Sequence, residues 1–65
     1  MKINITTLEN DRVRRGMSRE DYSRMMGLHF TAYGKMLKSQ STTMKRIGAM
    51  ATILRIKEKR LVVFE

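Results

Sequence analysis

Ser18-Arg19-Glu20-Asp21-Tyr22-Ser23-Arg24-Met25-Met26-Gly27-Leu28-His29-Phe30-Thr31-Ala32-Tyr33-Gly34-Lys35-Met36-Leu37-Lys38 is the stretch on which the fold turns. Ser18-Arg19-Glu20-Asp21 reads as a capping box with Asp in place of the usual Glu or Gln. It predicts a helix over 18–26, in which Tyr22, Met25 and Met26 fall at i, i+3, i+4 and form an apolar stripe. Gly27 ends that helix, because glycine takes a positive φ at low cost. A further helix is expected over 29–38. Tyr33, Met36 and Leu37 give it the same apolar spacing, while Thr31, Gly34, Lys35 and Lys38 project to the opposite side. One face is apolar and the other is small and basic.

Upstream, Lys2-Ile3-Asn4-Ile5-Thr6 alternates polar and apolar residues and reads as a short strand. Thr7 is the expected cap of a first helix over 8–15, with Gly16 at its C′ position. Downstream, Thr42 or Thr43 caps a fourth helix. Its Met44, Ile47, Met50, Ala51 and Leu54 share an arc that closes the core, and Ile53 lies off that arc. Residues 52–56 either continue this helix or begin a strand. Leu61-Val62-Val63-Phe64 is β-branched and aromatic and reads as a strand. It pairs either with residues 3–5, the preferred arrangement, or with 53–57 as a hairpin across Glu58-Lys59. The expected class is therefore mainly α: one compact four-helix domain over 1–65 with short terminal β-strands.

The chain has 65 residues, with 14 Lys and Arg against six Asp and Glu, a net charge of +8 and a sequence pI near 10.7. So much positive charge on so small a body favours a polyanionic partner. Residues 39–60 hold six Lys and Arg against Glu58 alone, so the charge peaks in the second half. Cysteine is absent and there is one His, so neither a disulfide nor a metal site is expected, and no cofactor. No triad, paired-carboxylate motif or phosphate-binding loop occurs, so no enzymatic activity is expected. No stretch approaches the roughly 18 apolar residues of a membrane span, and the N-terminus has no long apolar run of a signal peptide. The expected compartment is the cytoplasm. A chain this short buries a modest share of its surface, which favours oligomerisation.

Two short amphipathic helices joined by a glycine turn have the form of a helix-turn-helix, in which the second helix enters the DNA major groove. Residues 15–28, Arg-Gly-Met-Ser-Arg-Glu-Asp-Tyr-Ser-Arg-Met-Met-Gly-Leu, resemble the Cro/phage-repressor helix-turn-helix family. Ser23 stands at that family's small Ala, Gly27 at its turn glycine and Leu28 at the following Val. Tyr33 stands at the buried apolar residue of the recognition helix, Met36 at its next apolar position, and Leu8 and Arg12 at the first-helix pattern. The resemblance covers roughly residues 8–54. Arg19 departs from the common Gln, and Asp11 replaces an apolar residue, which is expected to weaken the first helix's face. Leu37 replaces an acid that often pairs with the first-helix Arg, leaving Arg12 to contact Asp11, Glu9 or solvent. Terminal strands resemble the small mixed Cro proteins, in which such strands support dimerisation.

The candidate base-reading residues are His29, Phe30, Thr31, Gly34 and Lys35. Lys donates to guanine O6 or N7, Thr meets polar edges or a methyl, and Phe meets a thymine methyl. His29 stands where the family has its N-cap Ser or Thr. A missing side chain at Gly34 would let backbone approach the DNA. Arg19, Lys38 and Lys45 are the candidate phosphate contacts, which position without specifying sequence. Arg14, Arg15, Lys57, Lys59 and Arg60 read as a solvated basic face, and Tyr22, Tyr33 and the methionines as core. The expected function is a sequence-specific transcriptional regulator of phage Cro or repressor type. It would bind a pseudo-palindromic operator in double-stranded DNA as a homodimer, with Leu61, Val62, Val63 and Phe64 as the seam. The alternatives are an architectural or excisionase-like DNA-binding protein, and an antirepressor or inhibitor built on the same scaffold.

Overall fold

A computed structural model describes residues 1–63. These residues form five helices: α1 (Ile5–Arg14), α2 (Arg19–Met25), α3 (Phe30–Ser39), α4 (Met44–Leu54) and α5 (Glu58–Leu61). The class is mainly α, as expected, with one helix more than the sequence indicates. Among the described residues no helix is long and apolar enough to cross a membrane.

The helix starts follow side-chain capping. Ser18 Oγ accepts from the Asp21 amide at 3.1 Å, and Thr43 Oγ1 accepts from the Arg46 amide at 3.2 Å. Thr43, not Thr42, is thus the cap of α4. The cap of α1 is Asn4, not Thr7; Asn4 Oδ1 accepts from the Thr7 amide at 3.1 Å. Asn is among the strongest N-cap residues, and a cap here extends α1 by a turn. That extension removes the expected N-terminal strand, since Ile5 and Thr6 are helical.

Among the described residues no C-terminal strand forms either. Leu61 ends α5 and is fully buried, so it is unavailable as a dimer seam. Phe64 lies outside the described residues. What remains are two isolated antiparallel bridges, Lys2 with Ser41 and Ile3 with Val62. The chain ends therefore meet where the preferred pairing put them, but as bridges and not as strands. The hairpin across Glu58-Lys59 does not form, because both residues belong to α5.

Gly16 and Gly27 follow α1 and α2 with φ of +68° and +74°, as expected for C′ glycines. The ends of α3 and α4 have no such sign. Gln40 and Arg55 close them at φ of 56° and 59°, in the left-handed region usually left to glycine. Leu54 is buried within α4, so residues 52–54 continue the helix and do not begin a strand.

The core is built from Ile3, Leu8, Tyr22, Met26, Tyr33, Met36, Ile47, Met50, Leu54, Ile56 and Leu61, with Ala51 at its margin. The Tyr22 and Tyr33 rings meet edge to face with centroids 5.8 Å apart, which joins α2 to α3. Met44 departs from its expected place. It is 60% exposed, because the inward stripe of α4 begins only at Ile47.

Asp11 also departs from expectation. It is 4% exposed and, far from weakening α1, ties three helices together. Its Oδ2 accepts from the Tyr22 hydroxyl at 2.8 Å and from Arg15 Nε at 2.8 Å, and Oδ1 accepts from Arg14. Arg15 Nη2 in turn donates to the Leu54 carbonyl at 2.9 Å, reaching the end of α4. Burial raises the Asp11 pKa, but the hydrogen bonds from Tyr22, Arg15 and Arg14 outweigh it and hold the carboxyl below its ordinary 3.8. Burial and the Asp11 bond push the Tyr22 hydroxyl far above its ordinary value. Tyr33 is pushed up to about 12 by burial, and its hydroxyl has no hydrogen-bond partner among the described residues.

Because the folded pKa of Asp11 is depressed, its contribution to stability is present above 3.8 and is lost as pH falls through the folded value. Asp11→Asn is expected to cost about 2 kcal/mol at neutral pH. The gap to the native chain should close as acid protonates Asp11, measured by urea denaturation over a pH series. A gap that does not depend on pH would show that the carboxylate charge is not what holds the helices. The two tyrosines should also differ. Tyr22→Phe removes a satisfied bond and costs about 1 kcal/mol, whereas Tyr33→Phe is neutral or stabilising. Equal thermal shifts for the two variants would contradict this.

Candidate nucleic-acid interface

α2 and α3 are separated by Met26, Gly27, Leu28 and His29. Met26 is buried and Leu28 half-buried, so the connection is pinned to the core at two points. His29 caps α3: its Nδ1 accepts from the Thr31 amide at 3.2 Å and lies 2.7 Å from Thr31 Oγ1. It thus does the work of the Ser or Thr that the resemblance implies. A neutral ring that accepts through Nδ1 carries its proton on Nε2, leaving a donor on an exposed side chain.

Thr31, Gly34, Lys35 and Lys38 are all exposed and fall at i, i+3, i+4, i+7, one face of α3. Tyr33 and Met36, on the other face, are 0% and 3% exposed. Phe30, in the first turn, is 51% exposed and borders a groove with Glu20, Ser23, Arg24, Leu28 and His29. Thr31, Gly34 and Lys35 therefore share one exposed face of α3, while His29 and Phe30 stand at its start beside α2; all five candidate base readers are exposed. Nothing lies within 4 Å of where a Cβ on Gly34 would stand, so packing does not require glycine there.

The candidate phosphate contacts divide. Lys38 and Lys45 are exposed and, among the described residues, enter no ion pair. Arg19 is held to α1, with Nη2 2.7 Å and Nε 2.8 Å from Glu9 Oε1, although its side chain stays 58% exposed. The other Glu9 oxygen accepts from Arg12 Nε at 2.6 Å, and Arg12 Nη1 donates to the Met17 carbonyl at 2.8 Å. Glu9 is thus the partner that Arg12 selects among the three open to it. Burial raises the Glu9 pKa, but the Arg12 and Arg19 hydrogen bonds and charges bring it below its ordinary value.

One residue was missed by the sequence reading. Arg46 lines a groove between α3 and the start of α4, together with Ala32, Lys35, Met36, Ser41 and Thr43. It also borders a second groove beside Gly27, Leu28 and Lys45. The signal was its place three residues after Thr43, where a cap puts it in the first turn. Without the α3–α4 packing, nothing distinguished it from Lys45.

Charge is partitioned along the chain. Residues 1–34 hold six Lys and Arg and four acids, and all four acids are in ion pairs. Residues 35–63 hold eight Lys and Arg and one acid, Glu58. The α3 face and the start of α4 therefore carry uncompensated positive charge. No family model, curated protein or solved structure matches this chain.

Gly34→Ala separates packing from recognition. With open space at the Cβ, alanine should stabilise α3 by about 0.5–1 kcal/mol. If the exposed face of α3 is the one that meets DNA, the new methyl should also weaken binding. A more stable variant with unchanged DNA affinity would remove Gly34 from the interface.

Proposed function

We propose that the protein is a sequence-specific DNA-binding transcriptional regulator of the phage Cro or repressor type, in which α2, the Gly27 turn and α3 act as a helix-turn-helix. The observation that carries this reading is the α3 face of Thr31, Gly34, Lys35 and Lys38, exposed and free of acids, opposite a buried Tyr33 and Met36. Such a helix lies in the major groove with its N-terminal residues at the base edges. His29, Phe30, Thr31, Gly34 and Lys35 read bases. Lys38, Lys45 and Arg46 meet phosphates, and Arg19 does so while anchored to Glu9. The reading carries with it a cytoplasmic location and a homodimer on a pseudo-palindromic operator, since one small reading head buries little area and two bury more.

The half-exposed Phe30 favours a second reading, an architectural protein that wedges an apolar ring against a base step and bends the duplex. Strong bending in a circular-permutation gel assay would select it.

Selection of bound sequences from a random DNA pool tests the primary reading. A consensus with two-fold symmetry is expected. Lys35→Ala should relax preference at one position, at a cost of about 1–3 kcal/mol. Lys38→Ala should weaken all duplexes alike and reduce the salt slope by about one. Equal affinity for random and selected duplexes at physiological salt would reject the regulator.

A further inference from the structure

The cations that the α3 face does not use gather at the other end of α4. Arg55, Lys57, Lys59 and Arg60 are all exposed, and among the described residues none enters an ion pair. Arg55 closes α4 and Lys57 opens α5. Ile56 and Leu61, the apolar residues of this stretch, are 8% and 0% exposed, so it turns charge outward with no apolar strip of its own.

Arg60 also borders a groove of about 260 Å³ whose other lining residues are Thr7, Asn10, Asp11, Arg14 and Ile56. Thr7, Asn10, Asp11 and Arg14 fall at i, i+3, i+4, i+7, a single face of α1. The Asp11 charge is already answered by Arg14, Arg15 and Tyr22. Two cations, Arg14 and Arg60, line the groove against the single Asp11 carboxylate, so its net charge is positive, and the Thr7 hydroxyl and Asn10 amide add donors.

This surface is separate from the α3 face. Arg46, which shares a groove with Lys35, sits in the first turn of α4, and Arg55 is its C-cap. At 1.5 Å per residue the two positions are about 13 Å apart along the helix axis.

We propose that α5, its flanking residues and the α1 groove form a second phosphodiester-binding surface, which holds a nucleic-acid segment other than the one under α3. The inference takes its partner class from the reading of the protein as a DNA binder. Lys and Arg in this arrangement neutralise phosphates without reading sequence, so the second segment is bound through its backbone. A lipid surface fits less well, because an interfacial helix needs an apolar face beside its charges; Ile56 and Leu61 are buried, and the exposed Ile53 and Val63 lie outside α5.

The test uses the full chain bound to an immobilised duplex of the selected sequence, followed by capture of a second, labelled duplex of random sequence. Lys57→Glu, Lys59→Glu and Arg60→Glu are combined in one variant, and the milder Gln substitutions in another. Circular dichroism checks that both fold. Occupancy of the first duplex should stay as in the native chain, while capture of the second falls about tenfold or more. Lys35→Ala should relax sequence preference at one position of the first duplex and keep capture of the second. If a folded charge variant captures as well as the native chain, or the native chain captures no second duplex, the second surface does not exist. Stronger competition from phosphatidylglycerol vesicles than from duplex would overturn it in favour of a membrane. If Lys35→Ala leaves preference intact while the charge variant abolishes capture, the α3 reading fails and this surface stands.

Discussion

The Asp11 carboxylate is the constraint on which the arrangement of helices depends. A charge that is 4% exposed is costly unless its oxygens are filled, and here Tyr22, Arg14 and Arg15 fill them. Each of those partners does a second task. Tyr22 sets its ring against Tyr33 and so orients α3, and Arg15 reaches the last carbonyl of α4. The angle at which α3 is presented is thus linked, through two aromatic rings, to a carboxylate on α1. Apolar packing alone would leave that angle less closely specified, because Met26 and Met36, the buried methionines beside the α2–α3 turn and on α3, adapt readily.

The same acids shape the electrostatics. Glu9 and Asp11 sit on α1 and Glu20 and Asp21 at the start of α2, each paired with arginine. Pairing them within the first 34 residues leaves α3, α4 and α5 almost without negative charge. The basic character is therefore a property of particular surfaces more than of the average composition. It falls at the two ends of α4, where Arg46 faces α3 and Arg55 leads into α5.

The candidate site was more legible than the chain ends. Helical periodicity separates Thr31, Gly34, Lys35 and Lys38 from Tyr33 and Met36 without any knowledge of what packs against them, because 3.6 residues per turn settles the two faces locally. The termini were misread for an equally physical reason. Short β-branched runs suit a strand, but a strand needs a partner of matching length, and Asn4 draws the chain into a helix after only two bridging residues, Lys2 and Ile3. Arg46 and Asp11 were missed or undervalued because their importance lies in what faces them.

By itself, the sequence determined the mainly helical class, the cap at Ser18, a threonine cap for α4 at 42 or 43, the glycine stops at Gly16 and Gly27, and the division of α3 into a buried and a basic face. These are local properties, set by hydrogen bonds and spacings within a few residues. Only the tertiary structure decided that Glu9 takes both Arg12 and Arg19, and that Asp11 is the buried tie among three helices. It also decided that Leu61 belongs to the core and not to a subunit seam. Those outcomes depend on which charges and apolar side chains meet across the fold, and such meetings leave no periodic trace along the chain. The Thr31-to-Lys38 face that the opening stretch implies is therefore a local fact, while the orientation of α3 in the fold is linked, through Tyr33 and Tyr22, to a carboxylate on another helix.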